Sequence, residues 1–349
     1  MHNLENILKK VAHNMKNTMD TESSSGLTEG ITYFENWEWT QGVGLYGLYK
    51  YYRVTKDKEI LNELISWYEN AFKRGVPERN VNTTAPMLTL AFLYEETGEK
   101  KYLEACSEWA EWVMKEMPRT SDMGLQHIVT GYANDQQLWD DTLYMTVLFL
   151  AKMGALLGRE DYIAESERQF LVHIKYLFDK KTGLWFHGWD FNRMDNFGEA
   201  LWGRGNCWFT AGVVDYLEIT NISGGTKQFL IDTLKNQVDA LIKYQNENGM
   251  WNTLINDPAS YQETSCTAGF GYGILKGVRL GYLPENYKEA GSKALSAVLK
   301  NIDEEGNVHK VSSGTPVWDD LNLYKTVPVC YMPYGNALSL LIINEGLKV

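Results

Sequence analysis

Four stretches of this chain repeat one design: an apolar helix-forming run, a short polar break, and a second helix-forming run opening near an aromatic. They are GLYGLYKYYRVTKDKEILNEL (44–64), LTLAFLYEETGEKKYLEA (88–105), TVLFLAKMGALLGREDYIAES (146–166) and, more loosely, FGYGILKGVRLGYLPENYKEA (270–290). A helix hairpin buries its apolar face only against neighbours of its own kind, so several must associate. Dividing the 349 residues by six gives about 58 per hairpin, room for two ordinary helices and their loops. The surplus length sits in loops rich in glycine and aromatics, where an open solenoid would keep a strict period. The pattern therefore predicts an all-α chain closed into a ring of six hairpins, an (α/α)6 barrel. With no Pro/Ser-rich linker or shift in composition, residues 1–349 are expected to form a single domain.

The loops between the hairpins point to function. They read NWEWTQGVG (36–44), NVNTTAPM (80–87), MGLQHIVTG (123–131), GLWFHGWD (183–190), LWGRGNCW (201–208) and SYQETS (260–265). Each precedes an apolar stretch, and in a helical barrel such segments gather at one rim. A mouth lined with aromatics and a few charges is a small-molecule site; the alternative is that the tryptophans plug the barrel and the polar groups cap helices. Twelve Trp and 21 Tyr suit stacking on sugars. A net charge of −12 without a basic run speaks against nucleic acid and anionic membranes as partners, and no apolar run reaches membrane-spanning length. Cys106, Cys207, Cys266 and Cys330 form no C-x-x-C pair and read as reduced thiols of a cytoplasmic protein. Residues 1–20 place Leu4, Ile7, Leu8, Val11 and Met15 at helical spacing, broken by Lys9, Lys10 and Lys16. That is an amphipathic helix, not a signal peptide.

QLWDDTLYM (137–145) holds the most conspicuous acids. Neighbouring helical residues point about 100° apart, so Asp140 and Asp141 cannot share a face. Asp141 shares a stripe with Leu138, Met145 and Leu148, which makes it the expected buried member, with a raised pKa suited to proton donation. Alternatively, both act as cap and first-turn acids of a helix. Arg204 stands between Trp202 and Trp208, a setting suited to clamping a ligand carboxylate or to an ion pair at a helix end. The six histidines form no metal-ligand pair, and neither a phosphate loop nor a G-x-S-x-G elbow occurs, so no metal and no cofactor is expected.

Taken together, WEWTQGVGLYG, QLWDDTLYM, FHGWD, LWGRGNCW, SYQETSCTAG and PYGNALSLL resemble glycoside hydrolase family 105, the unsaturated rhamnogalacturonyl hydrolases, relatives of the family 88 unsaturated glucuronyl hydrolases. The likeness runs in order from about residue 36 to residue 344. It implies an (α/α)6 barrel that removes a 4,5-unsaturated uronic acid from the non-reducing end of oligosaccharides made by polysaccharide lyases. In the family's W-x-D motif the catalytic acid is the residue two after Trp, here Asp141. By the same matching His187 and Arg204 fall at sugar- and carboxylate-contacting positions, and Trp208 at a stacking position. Trp39 falls where some relatives carry Tyr, and His127 lies in the loop leading to the catalytic helix. Asn82 stands where some relatives carry a second aspartate; an amide positions a hydroxyl but cannot titrate. The resemblance therefore implies Asp141 as the acid, with Trp39, Asn82, His127, His187, Trp202, Arg204 and Trp208 around the substrate.

Overall fold

The computed structural model describes residues 2–15 and 33–349. Helix α1 (His2–Asn14) is followed by five hairpins. These are α2 (Trp39–Thr55) with α3 (Lys58–Arg74), α4 (Val81–Thr97) with α5 (Lys100–Lys115), α6 (Leu148–Leu157) with α7 (Glu160–Leu177), α8 (Gly203–Thr220) with α9 (Gly224–Tyr244), and α10 (Thr264–Arg279) with α11 (Lys288–Leu299). A short α12 (Leu321–Thr326) precedes α13 (Pro333–Gly346). Three links share one chemistry. The first helix ends on a left-handed residue, Lys56 (φ 58°), Gly98 (φ 72°) or Gly158 (φ 65°), whose N–H returns to a carbonyl of the last turn. The next residue, Asp57, Glu99 or Arg159, is extended and opens the returning helix.

Helix α2 packs on α4, α4 on α6, α6 on α8, α8 on α10, α10 on α13, and α13 back on α2, which closes the ring. Helices α3, α5, α7, α9 and α11 back their own partners, and the sixth backing helix is α1, packed on α13. The expected barrel is present, with its sixth hairpin assembled from the two ends of the chain. The inner helices touch closely: a Cβ on Gly47 of α2 would lie 2.5 Å from Ala337 Cα of α13. The helix expected over 1–20 occupies 2–14, with Leu8, Val11 and Met15 buried, while residues 16–20 lie outside the described residues. Among the described residues no helix is long and apolar enough to cross a membrane. No disulfide joins the cysteines; Cys106, Cys207 and Cys266 are buried and Cys330 is half-buried.

Each inner helix runs from one rim to the other in the same sense, so the loops before them collect at one end. Segments 36–44, 80–87, 201–208 and 260–265 open directly into α2, α4, α8 and α10. The other two behave differently. Segment 123–131 leads to β1 (Gln137–Trp139), and 183–190 ends in β2 (Gly188–Asp190), its antiparallel partner. Two more two-residue ladders stand on this rim, β3 (Trp251–Asn252) with β4 (Gln262–Glu263), and β5 (Val311–Ser312) with β6 (Val329–Cys330).

At the opposite pole the inner helices end, and cations gather where their C-termini carry partial negative charge. Lys50, Arg53, Lys152, Lys276 and Arg279 converge there. Beneath them the buried Asp215 accepts from Tyr46 Oη at 2.9 Å, from Tyr272 and from Lys276, and Lys50 stands 3.7 Å away. These contacts hold the Asp215 carboxyl well below the usual carboxylate range. Removing one partner strands the other charge in the core, so Lys276→Met is expected to cost about 3–5 kcal/mol. Urea unfolding of the variant checks this. Loss of less than about 1 kcal/mol would show that the pole does not depend on the pair.

Candidate active site

The β1–β2 ladder sets the geometry of the rim. Trp139 pairs with Gly188, and the N–H of Asp140 donates to the carbonyl of His187 at 3.1 Å. The chain then turns at once into a helix over 141–157 whose second turn, Leu143–Val147, is π-helical. Such widened turns recur at functional sites because they re-aim side chains. Here the start of that helix seals one aspartate and leaves the other open, and the sequence-based assignment of the buried one is reversed. Asp140 is the sealed residue, at 0% exposure, whereas the Asp141 side chain is 15% exposed and opens into a cavity. The cause is position: Asp141 lies in the first helical turn at the rim, not on a stripe inside the wall.

Asp141 Oδ1 accepts from the Trp208 indole N–H at 3.0 Å, and Oδ2 faces His187 Nε2 at 3.3 Å. His187 Nδ1 stands 2.8 Å from the hydroxyl of Tyr324 on α12, and that hydroxyl also accepts from the Trp318 N–H. A tyrosine hydroxyl donating to Nδ1 leaves the imidazole proton on Nε2, aimed at Asp141. Against the burial that would raise it, His187 above all holds the Asp141 carboxyl below its ordinary range, opposite to the raised value expected from sequence. Asp140 is the raised one, through burial and the neighbouring charge. Its side-chain hydrogen-bond partner is the Asp141 carboxyl itself, and a Cβ on Gly205 would fall 2.3 Å from Oδ2. A buried carboxyl so placed carries its proton. The ligand atoms of Asp140, Asp141 and His187 lie within 4.8 Å of one another, and a side-chain hydrogen bond joins the two aspartates.

The cavity measures about 580 Å³ and is lined by Trp39, Asn82, His127, Asp141 and Trp202 of the sequence-predicted set. His127 stacks on Trp139 with ring centroids 4.2 Å apart, and its Nδ1 lies 2.8 Å from Thr142 Oγ1. Burial pushes its pKa down to about 3, so this ring is neutral. Trp39 stacks on Tyr334 at 4.7 Å.

Three predicted contacts lie behind the wall. Trp208 is fully buried and serves as a donor to Asp141 rather than as a stacking surface; Tyr144 packs on it at 4.8 Å. His187 is likewise buried. Arg204 lies between Trp202 and Tyr334, not between Trp202 and Trp208, and its terminal nitrogens are committed. Nη1 bonds the carbonyl and hydroxyl of Ser312, and Nη2 bonds the Ser313 carbonyl at 2.7 Å and Thr315 Oγ1 at 3.1 Å. Its Nε alone has no partner. Arg204 therefore anchors the strap 311–330, which carries Gly314, Thr315 and Pro316 into the cavity wall and Tyr324 onto His187. Glu263, an acid of the 260–265 loop, is also spoken for. It caps α10 through the Cys266 N–H and accepts from Ser265 and the Ser312 N–H.

The sequence reading missed this strap and missed Glu38. Glu38 caps α2, accepting from the Trp39 N–H at 3.1 Å and from Thr130 Oγ1 at 3.0 Å, and it lines the cavity with Asp141. Burial raises its pKa. Its place between two tryptophans in NWEWTQ was the available signal.

Comparisons with known proteins agree with this fold. The family model Glycosyl Hydrolase Family 88 matches residues 7–349. The unsaturated rhamnogalacturonyl hydrolase YesR of Bacillus subtilis (strain 168) is 33% identical over 315 residues, covering 89% of this chain and 90% of that protein. A solved structure described as a possible member of glycoside hydrolase family 105, from Salmonella enterica, is 44% identical with a TM-score of 0.95, over 99% of this chain and 93% of the other. A second such structure, from Klebsiella pneumoniae, is 43% identical with a TM-score of 0.95, over 100% and 93%. A helical barrel of six hairpins, an acid at its rim and a family match over nearly the whole length agree: the chain is a glycosidase that belongs to glycosyl hydrolase family 88.

Proposed function

We propose that this protein removes a 4,5-unsaturated uronic acid from the non-reducing end of rhamnogalacturonan oligosaccharides, by hydrating the C4=C5 enol ether with Asp141 as general acid and base. The observation that carries the reading is the Asp140–Asp141 pair, one carboxyl sealed, the other held at the cavity floor by Trp208 and His187. An ordinary glycosidase flanks C1 with two carboxylates. An enol ether needs one. Asp141 delivers a proton to C4, which leaves an oxocarbenium at C5. Water adds at C5 as the Asp141 carboxylate takes its proton. The C5 hemiketal opens by breaking C5–O5, and the hemiacetal left at C1 expels the leaving sugar. The name and coverage of YesR support rhamnogalacturonan products as substrate.

The proton needs a source, because Asp141 alone is held on the ionised side. Asp140 supplies it: the pair shares one proton, which moves toward Asp141 as substrate displaces water, and the two titrate as a unit. The lyase that makes the substrate removes the stereocentres at C4 and C5, so galacturonate and glucuronate give the same unsaturated ring. Specificity then rests on the linkage and the leaving sugar. The free cysteines and the acidic charge support a cytoplasmic enzyme without a nucleic-acid or membrane partner, and the site residues support action without a cofactor.

The reading is tested on a rhamnogalacturonan lyase digest, followed as loss of the near-ultraviolet absorbance of the conjugated enoate. In heavy water the released acid should carry deuterium at C4, and a saturated uronide should survive. Cleavage of the saturated analogue without C4 label would falsify the hydration reading.

Asp141→Asn should abolish turnover, a loss of at least about 10²–10⁴-fold, while substrate still binds, since the amide keeps the shape and loses the proton. Asp140→Asn should also slow turnover, and its stability has a signed pH dependence. The raised folded pKa of Asp140 means that the wild type pays nothing below the unfolded value near 4 and loses stability as pH rises toward the folded value. Thermal unfolding should therefore show the variant gaining on the wild type between about pH 4 and pH 7. A constant difference across that range would mean that Asp140 is ionised in the fold.

A further inference from the structure

The cavity wall has an unusual charge balance. Among the described residues that line it are two carboxylates, Glu38 and Asp141, and no lysine or arginine. His127 is neutral, and the guanidinium of Arg204 is committed behind the wall. Asp141 is used by the reaction. Glu38 is not. It is held from three sides, by the N–H of Trp39, the hydroxyl of Thr130 and the side chain of Asn82, which lines the cavity beside it. A carboxylate offers about four lone-pair sites, so three donors leave one acceptor direction free. An unsaturated uronate ring keeps hydroxyls only at C2 and C3, and each is a donor.

We propose that Glu38 is a specificity residue: it accepts a hydrogen bond from a ring hydroxyl of the unsaturated uronate and rejects the same ring when that hydroxyl carries a sulfate ester. This rests on the reading of the substrate as an unsaturated uronide. A hydroxyl loses its water and gains a charge-assisted bond. A sulfate brings a second anion against a fixed carboxylate, with no cation in the wall to offset it. The cavity is thereby tuned to lyase products with an unsulfated terminal ring, and Asn82, unable to titrate, helps to hold the acceptor in place.

Glu38 also caps α2, so its test must separate specificity from folding. The substrates are one lyase-generated disaccharide, unsulfated, and the same disaccharide sulfated at O2 or at O3 of its unsaturated ring, assayed at about pH 7.5, well above an ordinary glutamate pKa. For the wild type, sulfation at one of these positions should lower kcat/KM roughly 100-fold, the scale of a like-charge clash in a desolvated site. Glu38→Gln keeps the shape without the charge. It should raise KM for the unsulfated substrate about tenfold and shrink the sulfate penalty to within about tenfold, with kcat changed less than KM. Glu38→Asp keeps a favoured helix cap but draws the carboxylate back from the cavity, so it should retain the wild-type melting temperature while losing affinity. A Glu38→Gln enzyme that melts earlier but keeps the full sulfate penalty and the wild-type KM overturns the proposal and leaves Glu38 a cap. A wild type inactive on every unsaturated uronide overturns the hydrolase reading itself, a distinct outcome.

Discussion

Everything at the site depends on the six inner helices of the ring running in the same sense. That arrangement follows from the short links at the other end, three of them a left-handed residue followed by an extended one, which return each outer helix to the same rim. All long connections are thereby forced to that rim, where Trp39, Asn82, Asp141 and Trp202 meet although they are far apart in sequence. The same constraint makes the two poles electrically unlike. Helix N-termini face the cavity, and helix C-termini face the cluster of Lys50, Lys152 and Lys276 over Asp215.

The ring was legible from the repeated hairpins because their signal is local: an apolar run, a polar break, and a second run opening near an aromatic. The closure by α1 on α13 was not, since the pattern of either helix says nothing about a partner from the other end of the chain. Within the site, identity was easier to read than depth. Trp39, Asn82, His127, Asp141 and Trp202 reach the cavity, but Arg204, His187 and Trp208 sit one layer back. What covers Arg204 and His187 is the strap 311–330, whose anchor on Arg204 spans more than a hundred residues of sequence. Glu38 escaped notice for the opposite reason. Its local explanation as a helix cap is correct, and a sufficient local explanation hides a second role.

The reversal of the two aspartates shows why helical spacing alone misassigns burial at an element's first turn. The stripe containing Leu138, Asp141 and Met145 assumes one continuous helix, but residues 137–139 are strand and a π-helical turn begins at Leu143. Each interruption changes the angle between successive side chains. The stripe therefore kept the right residue at the cavity and assigned the seal to the wrong one.

An anionic substrate must still enter a cavity whose charged wall groups are two carboxylates. Two features of the fold offset that cost. The N-termini of α2, α4 and α8 open on this rim, each equivalent to a fraction of a positive charge. Arg204 lies behind the strap at the depth of Thr315, where little water screens it, with Glu263 at 3.9 Å as its nearest carboxylate. A buried guanidinium acts over a longer range than an exposed one. Its bonds to Ser312, Ser313 and Thr315 make the strap a coupled element. Whatever shifts residues 312–315 changes both the wall of the cavity and the field inside it. Through Tyr324, the same strap also holds the tautomer of His187 and hence the charge of Asp141. The wall of the cavity and the surroundings of Asp141 are thus tied to one segment of chain.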